Sequence, residues 1–411
     1  MMDDQAPTRS VSPVLWGVYL GVSWTWCIGM FLPILLLRDY GLAGYVVFAL
    51  PNVVGAAAMG WVLRTREASA ALVHRHARAM GVFSAVTIAF HFYFLFWLLG
   101  LVERINDRAS VSTPDWALWA IGALTIALVW VAPRVSARDR ALTRVALGVW
   151  LLSAGALVAL LVGGEPEPGP GAMLGETART GGLLWLAPVC LFGFALCPYL
   201  DLTFHHARQR TSTRGARTAF TIGFGGFFLA MILLTLVYAG MFGGVLGAPI
   251  ETPGRASWAR GLVLTHIVVQ AIFTVLVHRE RLRATGDSAG AVATLTLGVI
   301  AVVLGLTQAS LPGVGQMSAG EVIYRCFMAF YGLVFPAYVW IAMIPTRDGH
   351  AGIAGSRGRR KARTLAFATS MAAPMFWMGF IGGQEAWLAP GLAIVLLSRL
   401  TLGRGGQAPR A

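Results

Sequence analysis

Residues 181–206 read GGLLWLAPVCLFGFALCPYLDLTFHH, and the interpretation of the whole chain turns on this stretch. It is apolar for long enough to cross a bilayer, since about 20 such residues span the hydrocarbon core. It is also poorly built for a continuous helix. Pro188 lies upstream, Gly193 precedes the Cys197-Pro198 pair, and Asp201 follows the second proline. Proline withdraws a backbone donor and its ring crowds the preceding turn, so the helix is expected to kink or unwind near 193–198. Lipid offers no hydrogen bonds to freed backbone groups, and such a break persists only against protein or a watery cavity. A broken membrane helix with an ionisable residue beside the break points to a binding site of the kind that transporters build.

The composition agrees with a membrane setting. Of 411 residues, 57% are hydrophobic and 12% charged, with mean hydropathy +0.69. Soluble domains carry about 25% charge. The +14 formal charge would suit nucleic acid, but its placement beside apolar spans argues for topology signals and against that partner. Anionic inner-leaflet lipids are the expected secondary partner of the basic tracts, of which GSRGRRKAR at 355–363 is the densest. The four cysteines, Cys27, Cys190, Cys197 and Cys326, all sit in apolar spans without metal-type spacing, so neither a disulfide framework nor a bound metal is expected. The start, MMDDQAPTRS, lacks a basic n-region, and the first apolar span is expected to be retained as a helix.

Apolar windows predict an all-α membrane protein of about twelve transmembrane helices, near 13–37, 42–63, 79–102, 116–133, 142–163, 181–204, 218–246, 258–278, 290–311, 321–345, 364–381 and 385–402. With the N-terminus inside, the inner segments hold 25 of the 32 basic residues, and the outer ones hold only Arg38, Arg104, Arg108, Arg179, Arg255 and Arg260. That asymmetry predicts both termini in the cytoplasm, and the Arg, Ala and Gly bias suggests a bacterial inner membrane.

The predicted organisation is a tail (1–12), a first five-helix unit (13–163), an acidic Pro/Gly-rich outer loop (164–180) and a second five-helix unit (181–345). A basic inner loop (346–363), two further helices (364–402) and a tail (403–411) complete it. Helix one enters from the inside and helix six from the outside, so the two units have inverted topology. Both helices carry Gly, Cys and Pro in the same order: LGVSWTWCIGMFLP in the first and FGFALCP in the sixth. The second helix of each unit is rich in small residues, and the third carries a mid-membrane histidine, His91 or His266.

Five plus five inverted helices, two extra helices and interrupted helices one and six resemble the LeuT-type fold of the amino acid–polyamine–cation superfamily and the sodium/solute symporters. The resemblance covers 13–345 and is architectural. It implies a central site at the breaks near Ser23–Gly29 and Gly193–Pro198. It also implies a sodium site between helix one, near Thr25, and helix eight, where Thr274 is the matching hydroxyl. LTHIVVQAIFTVL lacks the adjacent hydroxyls of that pattern. CPYLDLTFHHARQR also resembles the sixth helix of Nramp-type metal transporters, with Cys197-Pro198 and His205 or His206 as matches, although helix one has no Asp-Pro-Gly-Asn motif.

The candidate substrate-binding residues are then Ser23, Trp24, Trp26, Cys27, Gly29, His91, Phe194, Cys197, Pro198, Asp201, His266 and Gln270. Asp201 either binds a cation or proton, or is a helix-end carboxylate paired with Arg208 or Arg210. His91 is either a proton or solute contact or a neutral buried histidine bonded to a neighbouring helix. His266 and Gln270 share a helix face, toward a cavity or an interhelical hydrogen bond. Phe31, Phe192 and Tyr199 join Trp24, Trp26 and Phe194 as possible pocket walls. Glu321 and Arg325 are placed to ion-pair, either as an outer gate or as an interfacial pair. His74 and His76 lie among arginines that would repel a cation.

The function expected is secondary transport of a small organic solute by alternating access, without a cofactor and with Na+ or H+ as the possible coupling ion. Half-helix N-termini facing the gap would suit a carboxylate. An Nramp-like metal transporter, a membrane-embedded transferase and a non-transporting sensor subunit are the alternatives. Protein partners are not legible.

Overall fold

The computed structural model describes residues 11–108, 120–125, 139–163, 180–246, 257–286, 288–345 and 355–402. Within these residues the chain is helical, and β pairing is limited to one bridge between Val314 and Met317. Eight of the described helices are long and apolar enough to cross a membrane, and the chain is an integral membrane protein. The expected loop at 164–180, the basic residues Arg9, Arg134, Arg138, Arg347, Arg404 and Arg410, and both tails fall mainly or wholly outside the described residues. So does most of the expected helix four, of which only 120–125 is described.

The first crossing is α1 (Pro13–Trp24) followed by the start of α2 (Cys27–Val62). Ser12 caps α1 by accepting the Leu15 amide, and Pro13 occupies the first turn, where its missing N–H costs nothing. α2 is two crossings folded back at Gly41, whose φ of 70° and ψ of −163° suit only glycine. The helices expected at 13–37 and 42–63 therefore meet at this glycine. α3 (Arg66–Arg108) follows, with His76 breaking its helical geometry and separating a short first arm from the long span.

α4 (Asp139–Val162) precedes α5 (Leu183–Leu196), which is joined to α6 (Leu202–Arg210) through a 3-10 turn at Cys197–Leu200. α7 (Thr213–Ile222) and α8 (Leu229–Tyr238) form one rod through a π-turn at Gly223–Phe228. α9 (Ser257–Ala284) and α10 (Ser288–Thr307) come next. α11 (Ala319–Ala329) continues through a second π-turn at Phe330–Val334 into α12 (Phe335–Tyr338). α13 (Gly355–Phe380) and α14 (Leu388–Ser398) close the chain; α14 is extended by 3-10 turns at Glu385–Trp387 and Arg399–Thr401, which together fill the span expected at 385–402.

Burial separates the centre of the bundle from its rim. Within the most apolar window of each helix, 94% of α3 is buried, against 28% of α4 and 22% of α10. α3 is therefore the central post, and Leu151, Val158, Leu161, Val292, Leu295 and Val303 on the outer helices face lipid. Against α3 packs an aromatic core in which Phe90 stacks on Phe327 at 4.8 Å, with Tyr93, Trp97, Tyr324 and Phe31 around it. Such ring pairs add roughly 0.5–1.5 kcal/mol each beyond their area burial.

The two ends differ. At one, the basic end, the buried Arg208 guanidinium donates to the carbonyls of Leu63, Arg64 and Thr211. Nearby, Asp139 receives His206 at 3.0 Å and Arg210 at 3.1 Å. At the opposite end, Arg38 makes a two-pronged pair with Glu321 at 2.8 and 2.6 Å. Arg325 bonds Glu321 at 2.9 Å and Asp39 at 2.5 Å, and Tyr40 donates to Glu385 at 2.8 Å.

Candidate functional site

The first break lies at Thr25 and Trp26, inside the expected 23–29 window. Both have left helical geometry, with ψ of 70° and 176°. The freed groups find partners on neighbouring helices. The Cys27 amide donates to Nε2 of His91 at 3.2 Å, and Nδ1 of His91 is 2.7 Å from the Thr87 carbonyl. One neutral tautomer, with the proton on Nδ1, satisfies both contacts. Tyr324 donates to the Cys27 carbonyl at 3.0 Å. Pro33 cannot donate to the Gly29 carbonyl four residues back; Thr235 does so instead at 3.1 Å. Tyr238 donates to the Met30 carbonyl at 2.7 Å. Thr25 turns its hydroxyl back to Gly21 at 2.8 Å, and the indole of Trp26 donates to the Ser23 carbonyl.

The second break begins inside the expected window and runs on past it. α5 runs through Gly193 to Leu196, tightens into the 3-10 turn, and becomes extended only at Asp201, with φ −81° and ψ 111°. Pro198 sits in the first turn of that 3-10 segment, where its missing N–H is tolerated, so the disruption is displaced toward its C-terminal side. Asp201 then caps α6: Oδ1 accepts the Thr203 amide and hydroxyl, both at 2.7 Å. Its Oδ2 has no hydrogen-bond partner and the residue is 0% exposed. The nearest cationic candidate is His278, with Nε2 3.9 Å away. Pairing with Arg208 or Arg210, the alternative from sequence, is not what forms; those arginines serve the carbonyls and Asp139 described above.

The breaks meet. Ser23 and Thr203 hydroxyls are 3.4 Å apart, and Trp24 packs on Phe204 at 4.8 Å. Between them a space of about 10 Å³ is lined by Trp24, Trp26, Gly29, Asn52, Phe194 and Cys197, with Ile28 and Tyr331 completing it. That is room for about one water. Phe194 and Tyr331 also line a second cavity of about 70 Å³ on the way to the opposite end. Its walls are apolar, including Leu32, Leu35, Leu186 and Met328, and Asp39 and Arg325 stand at its head. These two rings thus partition the space between the breaks from the cavity beneath the charge network.

The remaining candidates fall into separate places. His266 and Gln270 converge on Ser153 of α4, at 2.8 and 3.1 Å, which is the interhelical hydrogen bond foreseen as one alternative. Thr274 is buried with its hydroxyl unpartnered. Glu321 is 3% exposed and Arg325 is within the network, so this pair does not lie at a solvated interface. Phe31 belongs to the aromatic core beside α3, while Phe192 packs toward Trp340. Cys197 directs its thiol to the Tyr331 carbonyl at 3.3 Å; His205 binds Ser69 and the Tyr199 carbonyl, and His206 turns to Asp139. Among the described residues, no group of three or more His, Cys, Asp or Glu is placed to hold a metal ion.

Sequence reasoning missed Arg38 and Asp39 as ion-pair partners of Glu321 and Arg325, and missed His278, Asn52 and Tyr331. His278 was legible: His266, Gln270, Thr274 and His278 recur every fourth residue on one face of α9, and all four are fully buried. Arg38 and Asp39 are the charged pair that ends a long apolar run, at the level that Glu321 reaches from its own helix.

No protein-family model matches the chain, and no curated protein matches it in sequence. Two solved structures align along nearly its full length. One is the Eremococcus coleocola manganese transporter, in complex with an aromatic bis-isothiourea compound, at 14% identity and TM-score 0.45, covering 98% of this chain and 96% of that one. The other is Mhp1, a nucleobase-cation-symport-1 family transporter in a closed conformation with bromovinylhydantoin bound. It aligns at 12% identity and TM-score 0.43, over 98% of this chain and 95% of that one.

Proposed function

We propose that this chain is a secondary transporter that moves a small organic solute by alternating access and is not an enzyme. The observation that carries the reading is the meeting of two oppositely directed broken helices around a small space at mid-bundle. Irregular backbone at membrane depth is retained where it lines a cavity or a path. The Arg38–Asp39–Glu321–Arg325 network serves as the gate on the opposite end, and Phe194 with Tyr331 as a thinner inner partition. By the positive-inside rule, the basic end faces the cytoplasm of a bacterial cell and the gate faces outward.

The solute class differs from the one the half-helix N-termini suggested. The Thr203 amide at the start of α6 is taken by Asp201, and the Cys27 amide at the start of α2 is taken by His91. A solute carboxylate would have to displace both. The walls of both cavities favour a largely apolar or aromatic body instead, with a polar group near Asn52 or the Asp39–Arg325 head.

Cys197 offers the test. In a variant keeping only this cysteine (Cys27→Ser, Cys190→Ser, Cys326→Ser), sealed proteoliposomes are treated with a membrane-impermeant thiol reagent from one face at a time. Alternation predicts labelling from each face, with the balance shifted by counterflow-competent solutes. A Cys197 that stays unreactive from both faces in folded protein overturns the reading.

A further inference from the structure

α9 carries a histidine that the transport pathway as described does not use. Nδ1 of His278 lies 3.2 Å from the Ser84 hydroxyl on α3, and its Nε2 has no hydrogen-bond partner. That free nitrogen faces the free Oδ2 of Asp201 across 3.9 Å, and both residues are 0% exposed. Each atom is thus an orphan, and the two are of complementary kind. An unpaired carboxylate removed from water is costly, and no Arg or Lys among the described residues pairs with Asp201.

We propose that Asp201 and His278 form a proton-binding site that holds one exchangeable proton between the second helix break and α9. This rests on the transport reading for its purpose, coupling, but not for its existence. With the proton present the pair is either carboxylate and imidazolium or carboxylic acid and imidazole, and in both forms the net buried charge is zero. Without it, a buried carboxylate faces a neutral imidazole and the pair carries a net negative charge, which favours movement of α6 away from α9 or entry of water. Proton binding is therefore linked to the position of the α6 half-helix.

The surroundings suit a proton better than a metal cation. Asp201 Oδ1 is committed to Thr203, and the partner across the gap is a nitrogen, whereas hard cations such as Na+ seek several oxygens. The groups that face the pair are Tyr19 and Ser23 from α1, Thr203 from α6, Cys197 from the 3-10 turn, and Tyr331 from the π-turn after α11. From α3 come Ser84 and, farther off, His91; Thr274 precedes His278 by one turn. None carries a fixed positive charge.

The test needs no solute. Full-length protein in lipid, labelled with 13C-carboxyl aspartate and 15N-histidine, is titrated while infrared difference spectra follow the carboxyl, carboxylate and imidazole ring bands, so that either protonated form is seen. The expected result is a band that titrates in the wild type, disappears in Asp201→Asn, and shifts its midpoint in His278→Gln by a tenfold or greater change in proton concentration. Asp201→Asn keeps the oxygen that caps α6, and His278→Gln keeps a group able to reach Ser84, so both are expected to fold. A band identical in all three proteins overturns the proposal. So does displacement of the proton by sodium chloride but not by choline chloride, which would assign the site to a metal cation. A silent pair in a protein whose Cys197 still alternates removes this inference alone; a titrating pair with an inert Cys197 removes the transport reading alone.

Discussion

The two helix breaks interrupt the backbone in similar ways and leave their polar groups in opposite states. At Thr25–Trp26, the freed groups are claimed by His91, Tyr324, Thr235 and Tyr238, contributed by α3, α11 and α8. At Cys197–Asp201, the aspartate satisfies the next helix with one oxygen and leaves the other facing only a distant histidine. A bonded break is a fixed bearing. A break with an orphaned carboxylate is one whose best geometry has to change with its protonation. The difference assigns support to the first helix and response to the sixth.

The largest effect that would break this contrast is at the bearing. His91→Ala removes the acceptor for the Cys27 amide and leaves a buried void, and is expected to destabilise by roughly 3–4 kcal/mol. Thermal unfolding in detergent would show it as a clear loss of melting temperature; an unchanged profile would mean the first break needs no brace. Gly193→Ala is expected to cost less, about 1–3 kcal/mol, because overpacking forces neighbours apart. Its Cβ would stand 2.7 Å from the Tyr331 carbonyl, which the π-turn directs at α5, so Cys197 should also lose that contact and label faster. The smallest expected effect is that of Asp201→Asn on stability, within about 0.5 kcal/mol, since the helix cap survives and the buried charge is removed. A large destabilisation there would mean that the carboxylate is structural and the contrast false.

How much of this could be read from residues alone depended on the range of the interaction. The membrane class and the helix spans followed from local hydropathy, and the breaks from Pro198 and the Gly–Cys–Pro order. The second break begins inside the expected window, at Cys197, but runs on to Asp201, because Pro198 acts in its own first turn and Asp201 caps toward Thr203. That cap has a local signature, an Asp two residues before a Thr at a helix start. His91 was weighed as a solute contact or a bonded core residue, and only the folded structure shows both ring nitrogens engaged, one by Cys27 of α2 and one by Thr87 of its own helix. The four-charge network required knowing that residues 38 and 321 are adjacent, which no local pattern encodes. Which amides of a helix start are already occupied is likewise set by distant partners: His91 takes that of Cys27, 64 residues away.

The half-helix from Cys27 to Tyr40 joins the first break to the charge network, and its proportions have a mechanical consequence. Eleven residues separate Cys27 from Arg38, a lever arm of about 16 Å at 1.5 Å per residue. A swing of about 10° at its root would carry Arg38 through about 3 Å at that helical rise, enough to part it from Glu321. The root is pinned by neutral hydrogen bonds and the tip by ion pairs. Unlatching the far end therefore requires little deformation where the rod is anchored, and the same rotation would re-aim the aromatic side chains beside its root.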